Sequence, residues 1–165
     1  MRLPVYILLF ITLFSNCKSK EKISATATPV SADTVLLASI ERTPCFGRCP
    51  TYKTTIYQNG YVKYEGKQNV INIGIFTTQL NQQTIDELKK YITENNIYEL
   101  PDKNVNPHIA DFPGTFTEIN LNGKYKRIIN TDPEAPKQLI EFEKFLDSLF
   151  NEKTNWQLLR SSNNE

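Results

Sequence analysis

The sequence predicts an α+β domain in which an antiparallel sheet, built from two β-hairpins plus flanking strands, carries two α-helices packed on one face. Three observations point there. Asn-Gly occurs twice, at Asn59-Gly60 and Asn122-Gly123, each time between segments that alternate apolar and polar residues, as a tight hairpin requires. Two stretches, beginning near Asn81 and Asp132, change to the helical period of about 3.6 residues. The element order reads strand, cysteine loop, hairpin, short strand, helix, long loop, hairpin, helix.

Taken in order, Val35 to Glu41 (VLLASIE) is apolar with a β-branched content that predicts a largely buried first strand, stopped by Arg42-Thr43-Pro44. A tight cysteine loop, Cys45-Phe46-Gly47-Arg48-Cys49-Pro50, follows at once. Tyr52 to Tyr57 and Tyr61 to Glu65 flank Gln58-Asn59-Gly60, where Asn-Gly accepts the positive φ angles of a type I′ turn. Tyr52, Thr54 and Ile56 share one face of this hairpin, and Lys53, Thr55 and Tyr57 the other. Gly66 to Asn72 is polar and predicts a turn, and Ile73 to Thr78 a short strand. In the first helix Ile85, Leu88 and Ile92, with Tyr91, form an apolar stripe; Thr78 or Asn81 caps it and Asn95-Asn96 ends it. Ile97 to Pro101 tucks apolar side chains beneath it. Asp102 to Gly114, with two prolines and no periodicity, predicts a loop long enough to suggest function. Thr115 to Leu121 and Lys124 to Asn130 form the second hairpin, with Thr117, Ile119 and Leu121 on the core face. Asp132-Pro133-Glu134 predicts the start of the last helix as N-cap, proline and first-turn acid. Leu139, Phe142, Leu146, Leu149 and Phe150 form its stripe, widened by Ile140 and Phe145. Trp156 and Leu158-Leu159 add a final extended piece to a single domain spanning 34–160, followed by a polar tail at 161–165.

Ahead of this domain, Arg2 and the apolar run Leu3 to Phe14 have the form of a signal peptide over 1–16, too short for the roughly 20 residues of a spanning helix. Cys17 directly after it resembles the lipobox cysteine of bacterial lipoproteins, whose thiol carries diacylglycerol; Phe14 and Asn16 depart from the strictest form of that box. Lys18 is not the aspartate that resembles an inner-membrane retention signal, so the expected location is the cell envelope, lipid-anchored at the outer membrane. Acyl chains contribute about 0.8 kcal/mol per buried methylene, enough for stable anchoring. Residues 17–33, charged and then Ser/Ala/Thr-rich, form a flexible tether from Cys17. Removing Arg2 with the leader leaves 18 basic and 18 acidic residues, so no global field selects nucleic acid. The expected partners are the membrane, through the anchor, and an envelope protein.

Function is carried by few residues. An oxidising envelope favours a Cys45-Cys49 disulfide, with Gly47 for the bend, whose short ring shapes the turn and contributes about 2 kcal/mol. The alternative is thiol redox or copper handling. Cys-x-x-x-Cys-Pro is similar to the copper motif of envelope proteins that assemble cytochrome oxidase, and Cys45, Cys49 and His108 offer a copper(I) ligand set, with Asp111 as a fourth ligand for zinc. The hairpin that follows replaces the helix those copper sites use. No nucleophile elbow, phosphate loop or dinucleotide fingerprint occurs, so no catalytic residue and no cofactor are expected. A binding or structural domain fits better: Phe46, Arg48, Tyr57, Tyr61 and Tyr64, with His108 and Asp111 in the long loop, are the candidate binding surface.

The run TPCFGRCPTYKTTIYQNGYVKYEG, with Leu88, Tyr98-Glu99-Leu100, Asp111-Phe112-Pro113, Gly123-Lys124 and the Leu149 to Trp156 spacing, resembles the envelope proteins grouped as domain of unknown function 6438. The resemblance covers about Leu37 to Trp156 and implies one intact, exported domain; it brings no activity with it.

Overall fold

The computed structural model describes residues 35–109, 111–150 and 154–161. The leader 1–16, Cys17, the tether 17–33 and the tail beyond Ser161 lie outside the described residues. The strands are β1 (Leu36–Arg42), β2 (Thr51–Tyr57), β3 (Tyr61–Gln68), β4 (Gly74–Gln79), β5 (Lys103–Val105), β6 (Thr115–Leu121), β7 (Lys124–Thr131) and β8 (Gln157–Arg160). They make one open sheet in the order β5-β7-β6-β1-β2-β3-β4-β8, antiparallel except for the β5–β7 pair. Helices α1 (Gln82–Glu94) and α2 (Lys137–Ser148) complete the α+β architecture that the pattern predicts.

The two hairpins turn differently. Asn122 and Gly123 have φ of 55° and 78° between paired Leu121 and Lys124, the two-residue type I′ turn expected. In the first hairpin only Gly60 has positive φ (81°), and its N–H donates to Tyr57 O, so the loop is the three residues Gln58-Asn59-Gly60 and not a type I′ turn. Asn59 Oδ1 instead accepts from the Tyr61 N–H at 3.0 Å. Glycine is demanded at position 60 twice, by that positive φ and by Leu80 O, 2.7 Å from where a Cβ would lie as the chain enters α1.

Asn81, not Thr78, caps α1, accepting from Thr84 N at 2.9 Å, and Asn96 leaves the helix in the left-handed conformation, as a helix-ending asparagine does. The last helix starts later than predicted. Asp132 to Ala135 form a separate turn and α2 begins after Pro136, because a helix capped at Asp132 would need the N–H that Pro136 lacks. Part of the expected long loop is also ordered as β5, whose parallel partner, Ile129–Thr131, lies on β7. Three residues are too short to show a period.

Both helices cover the same face of the sheet. Ile85, Leu88 and Ile92 of α1 and Leu139, Phe142 and Leu146 of α2 are buried against Ala38, Ile40, Ile56, Val62, Ile119 and Ile128. A register shift between Leu36 and Ala38 turns Leu37, otherwise on the outer side of the alternation, into the core. The opposite face carries Ser39, Glu41, Lys53, Lys63, Glu65 and Glu118, joined by ion pairs such as Lys67–Glu41 at 3.1 Å and Lys63–Glu65 at 3.0 Å. Burial opposes the Glu118 charge, yet hydrogen bonds from Tyr125 and Ser39 and the nearby Lys53 hold its carboxyl below the ordinary range. This face is a charge-alternating surface laced with ion pairs.

Candidate functional site

The structure separates the predicted surface residues. Tyr57 and Tyr61 lie together at the turn end of the first hairpin on the charged face, ring centroids 5.8 Å apart. Tyr64, two pleats on in register, belongs to the helix-covered face, where it meets Tyr52, Phe76 and Trp156. Phe46 and Arg48 sit at the opposite end of β2, about 20 Å away along the strand. The disulfide is formed, with Cys45 and Cys49 Cα atoms 5.7 Å apart, and Phe46 at its tip is 92% exposed. Thr43 staples this loop to the segment before β6: its N–H donates to Gly114 O at 2.9 Å and its hydroxyl accepts from Gly114 N at 2.7 Å. That brings Asp111 and Phe112 beside Pro44, Cys45 and Phe46 around a shallow depression of about 280 Å³. His108, earlier in the same loop, is exposed, its backbone N–H held by Asn106 Oδ1. Among the described residues no three His, Cys, Asp or Glu side chains converge as metal ligands, and both cysteine sulfurs are committed to the disulfide.

Replacing Cys45 and Cys49 together by serine is expected to lower stability by about 2 kcal/mol, the loop-closure value for so short a ring. The variant should stay folded, because Thr43–Gly114 holds the base of the loop independently. Urea unfolding with far-UV circular dichroism measures both; a variant that fails to fold would give the disulfide a larger role.

The most developed polar arrangement was not legible as a site in the sequence. Arg42, at the end of β1, reaches across to α2, where Glu143 and Asp147 stand one turn apart. Its guanidinium donates to Asp147 Oδ2 at 2.7 Å, to Glu143 Oε2 at 3.2 Å and to Thr115 Oγ1 at 2.7 Å. Tyr52 donates its hydroxyl to Asp147 Oδ1 at 2.5 Å, and Asn130 its amide to Glu143 Oε1 at 3.0 Å. Burial disfavours the Arg42 charge, but Asp147 and Glu143 outweigh it and raise the guanidinium pKa. Burial, reinforced by Asp147, also raises the Tyr52 hydroxyl. Burial raises the Glu143 carboxyl despite Asn130 and Arg42, which favour its ionised form. One signal existed: Glu143 falls inside the apolar stripe of α2, four residues after Leu139 and three before Leu146. An acid there must find a partner across the seam.

Two clefts open along this helix–sheet seam, and Tyr52 and Asp147 line both. The smaller, about 400 Å³, runs from Arg42 and Glu143 to the cysteine loop and Phe112-Pro113. The larger, about 710 Å³, is walled by Tyr52, Tyr64, Phe150 and Trp156, with Val70 and Ile71 from the β3–β4 turn. Its rings are fixed against one another: Tyr64 lies 5.2 Å from Trp156 and 5.7 Å from Tyr52, and Trp156 lies 5.3 Å from Phe150. Gly66 keeps the β3–β4 turn against this wall, since a Cβ there would collide with Asn72 O at 1.8 Å and approach the Tyr64 ring at 2.9 Å. The size and the rigid aromatic lining are those of a small-ligand site.

The model of the family described as domain of unknown function (DUF6438) matches residues 37–150. No curated protein matches the chain.

Proposed function

The chain belongs to the DUF6438 family, and we propose that its domain is a non-enzymatic ligand-binding module held at the outer membrane by a lipid on Cys17. The aromatic cleft of about 710 Å³ carries this reading. Its volume falls in the range of preformed small-molecule sites, and its walls are ordered by ring contacts and by the Arg42–Asp147–Tyr52 bridge rather than by a loop that must close. The acids nearest to it support binding more than catalysis, because Asp147 is held by Arg42 and Tyr52 and Glu143 by Arg42 and Asn130. The disulfide loop, with Phe46 presented beside Asp111 and Phe112, supplies a second contact surface for an envelope partner.

Nuclear magnetic resonance screening of the purified full chain against a chemically mixed fragment library tests the site. Shift changes should cluster at the Trp156 indole, Tyr64 and Thr54; hits scattered over the surface, or confined to the charged sheet face, would defeat the reading. The anchor is tested separately by cell fractionation, in which Cys17→Ser should move the protein from the membrane to the soluble fraction.

A further inference from the structure

We infer that the aromatic cleft takes an uncharged saccharide with flat apolar ring faces, of the all-equatorial β-linked kind. The inference rests on the proposal that this cleft is a ligand site, and it follows from what the lining offers and what it lacks. Among the described residues that line it, Asp147 alone carries a charge at neutral pH, since the other titratable side chains there are Tyr52 and Tyr64. Both Asp147 oxygens are already taken, one by Arg42 and one by Tyr52. A phosphate, a carboxylate or an amine entering the cleft would therefore give up its hydration and meet no free countercharge among the described lining residues.

A purely apolar ligand fits no better. The hydroxyls of Thr54 and Tyr64 and the indole N–H of Trp156 make no hydrogen bond to another described residue, although all three side chains line the cleft. Thr54 is only 2% exposed and lines the cleft, which makes it part of the inner wall. Covering these groups with hydrocarbon would cost about 1–3 kcal/mol for each one left unpaired. A ligand must bring neutral hydroxyls to them while presenting C–H surface to the tilted rings of Tyr64, Trp156 and Phe150. A sugar ring with all its hydroxyls equatorial does both, because its C–H bonds point up and down from the ring and its hydroxyls radiate around the edge. The cleft is also open to solvent, beside the exposed Asn155 and the half-buried Asn72, so a chain of rings can continue out of it.

The chain contains a single tryptophan, and it stands in this cleft, so its fluorescence reports occupancy directly. The full-length protein is titrated with cellohexaose and with chitohexaose, using cationic chitosan hexamer, anionic polygalacturonate fragments and the uncharged apolar dye N-phenyl-1-naphthylamine as comparisons. A saturable change in Trp156 emission with at least one neutral oligosaccharide, and none with the charged ones, is expected. Calorimetry on Tyr64→Phe, which keeps the ring and removes the hydroxyl, should show binding about fivefold weaker. Trp156→Phe should weaken it further. Saccharide binding that neither substitution changes would place the sugar elsewhere and overturn the inference. If the dye or the fragments bind at Trp156 and no neutral saccharide does, the inference fails while the ligand site stands. If nothing moves Trp156, both fail.

Discussion

Phe142→Ala should lower the stability of the domain by about 4 kcal/mol, which for a domain of this size is about 15 °C in Tm. Phe142 is fully buried at the middle of α2, and its ring stacks on Tyr91 of α1 with centroids 5.8 Å apart. Tyr91 in turn stacks on Phe145 at 4.3 Å, so Phe142 and Phe145 together hold the two helices against each other as well as against the sheet. Truncation removes the transfer energy of the ring and leaves a cavity that the stacked neighbours cannot fill without abandoning their own contacts. A total stability of about 5–15 kcal/mol makes such a loss a large fraction of the whole. Lys137→Ala on the exposed side of the same helix is the control, expected to leave Tm unchanged, since its ion pair with Glu141 is solvated. Differential scanning calorimetry on the two variants decides the matter; comparable losses would mean that the burial of Phe142 is not what holds α2 in place.

Arg42→Met should cost about 3 kcal/mol at neutral pH, and the cost should shrink in acid. The substitution keeps much of the side-chain volume but leaves Glu143, whose side chain is 6% exposed, and Asp147 one turn apart without their countercharge. The low end of the range for breaking buried pairs applies because Arg42 and Asp147 are partly exposed, at 23% and 32%, and solvent screens them. The pH dependence follows from Glu143. Its folded-state pKa is raised above the ordinary 4.5 by burial, so the fold binds the proton more tightly than the unfolded chain does. The associated stability is fully present below the unfolded value and is lost as pH rises through the folded one. With Arg42 gone that upward shift grows. Urea unfolding of Arg42→Met should therefore show a smaller deficit near pH 4 than at pH 7, and adding Glu143→Gln should restore part of the loss at pH 7. An equal deficit at both pH values, unchanged by Glu143→Gln, would show that the loss comes from the Arg42 bonds to Thr115 and Asp147 alone.

Much of the fold is legible in the sequence because its signals are local. Asn122-Gly123 sets its own turn through the φ angles it tolerates, and Asn81 caps α1 with its own side chain. The stripes Ile85-Leu88-Ile92 and Leu139-Phe142-Leu146 state which side of each helix is buried before any partner is known. The readings that changed are those in which a distant group intervenes. Gly60 packs against the backbone of Leu80, which donates its N–H to Gly60 O, and the hairpin takes a three-residue loop. Asp132-Pro133 has the form of a helix start, but Pro136 removes the N–H that start would need and moves it along the chain. β5 exists only because Ile129–Thr131 offers it an edge.

The candidate site divides in the same way. By itself the sequence determines the α+β class, the positions of both hairpins, the core faces of both helices, and the cysteine loop with Phe46 at its tip, since each rests on residue type and spacing over a few turns of chain. Only the tertiary structure decides that Tyr64 turns away from Tyr57 and Tyr61 to join Tyr52, Phe150 and Trp156, and that Arg42 meets Glu143 and Asp147 about a hundred residues later. The physical reason is that strand alternation and helical period fix which side of its own element a residue faces. Which side chains then share a cleft, and which charges find partners, depends on how sheet and helices are brought together, and no local pattern encodes that.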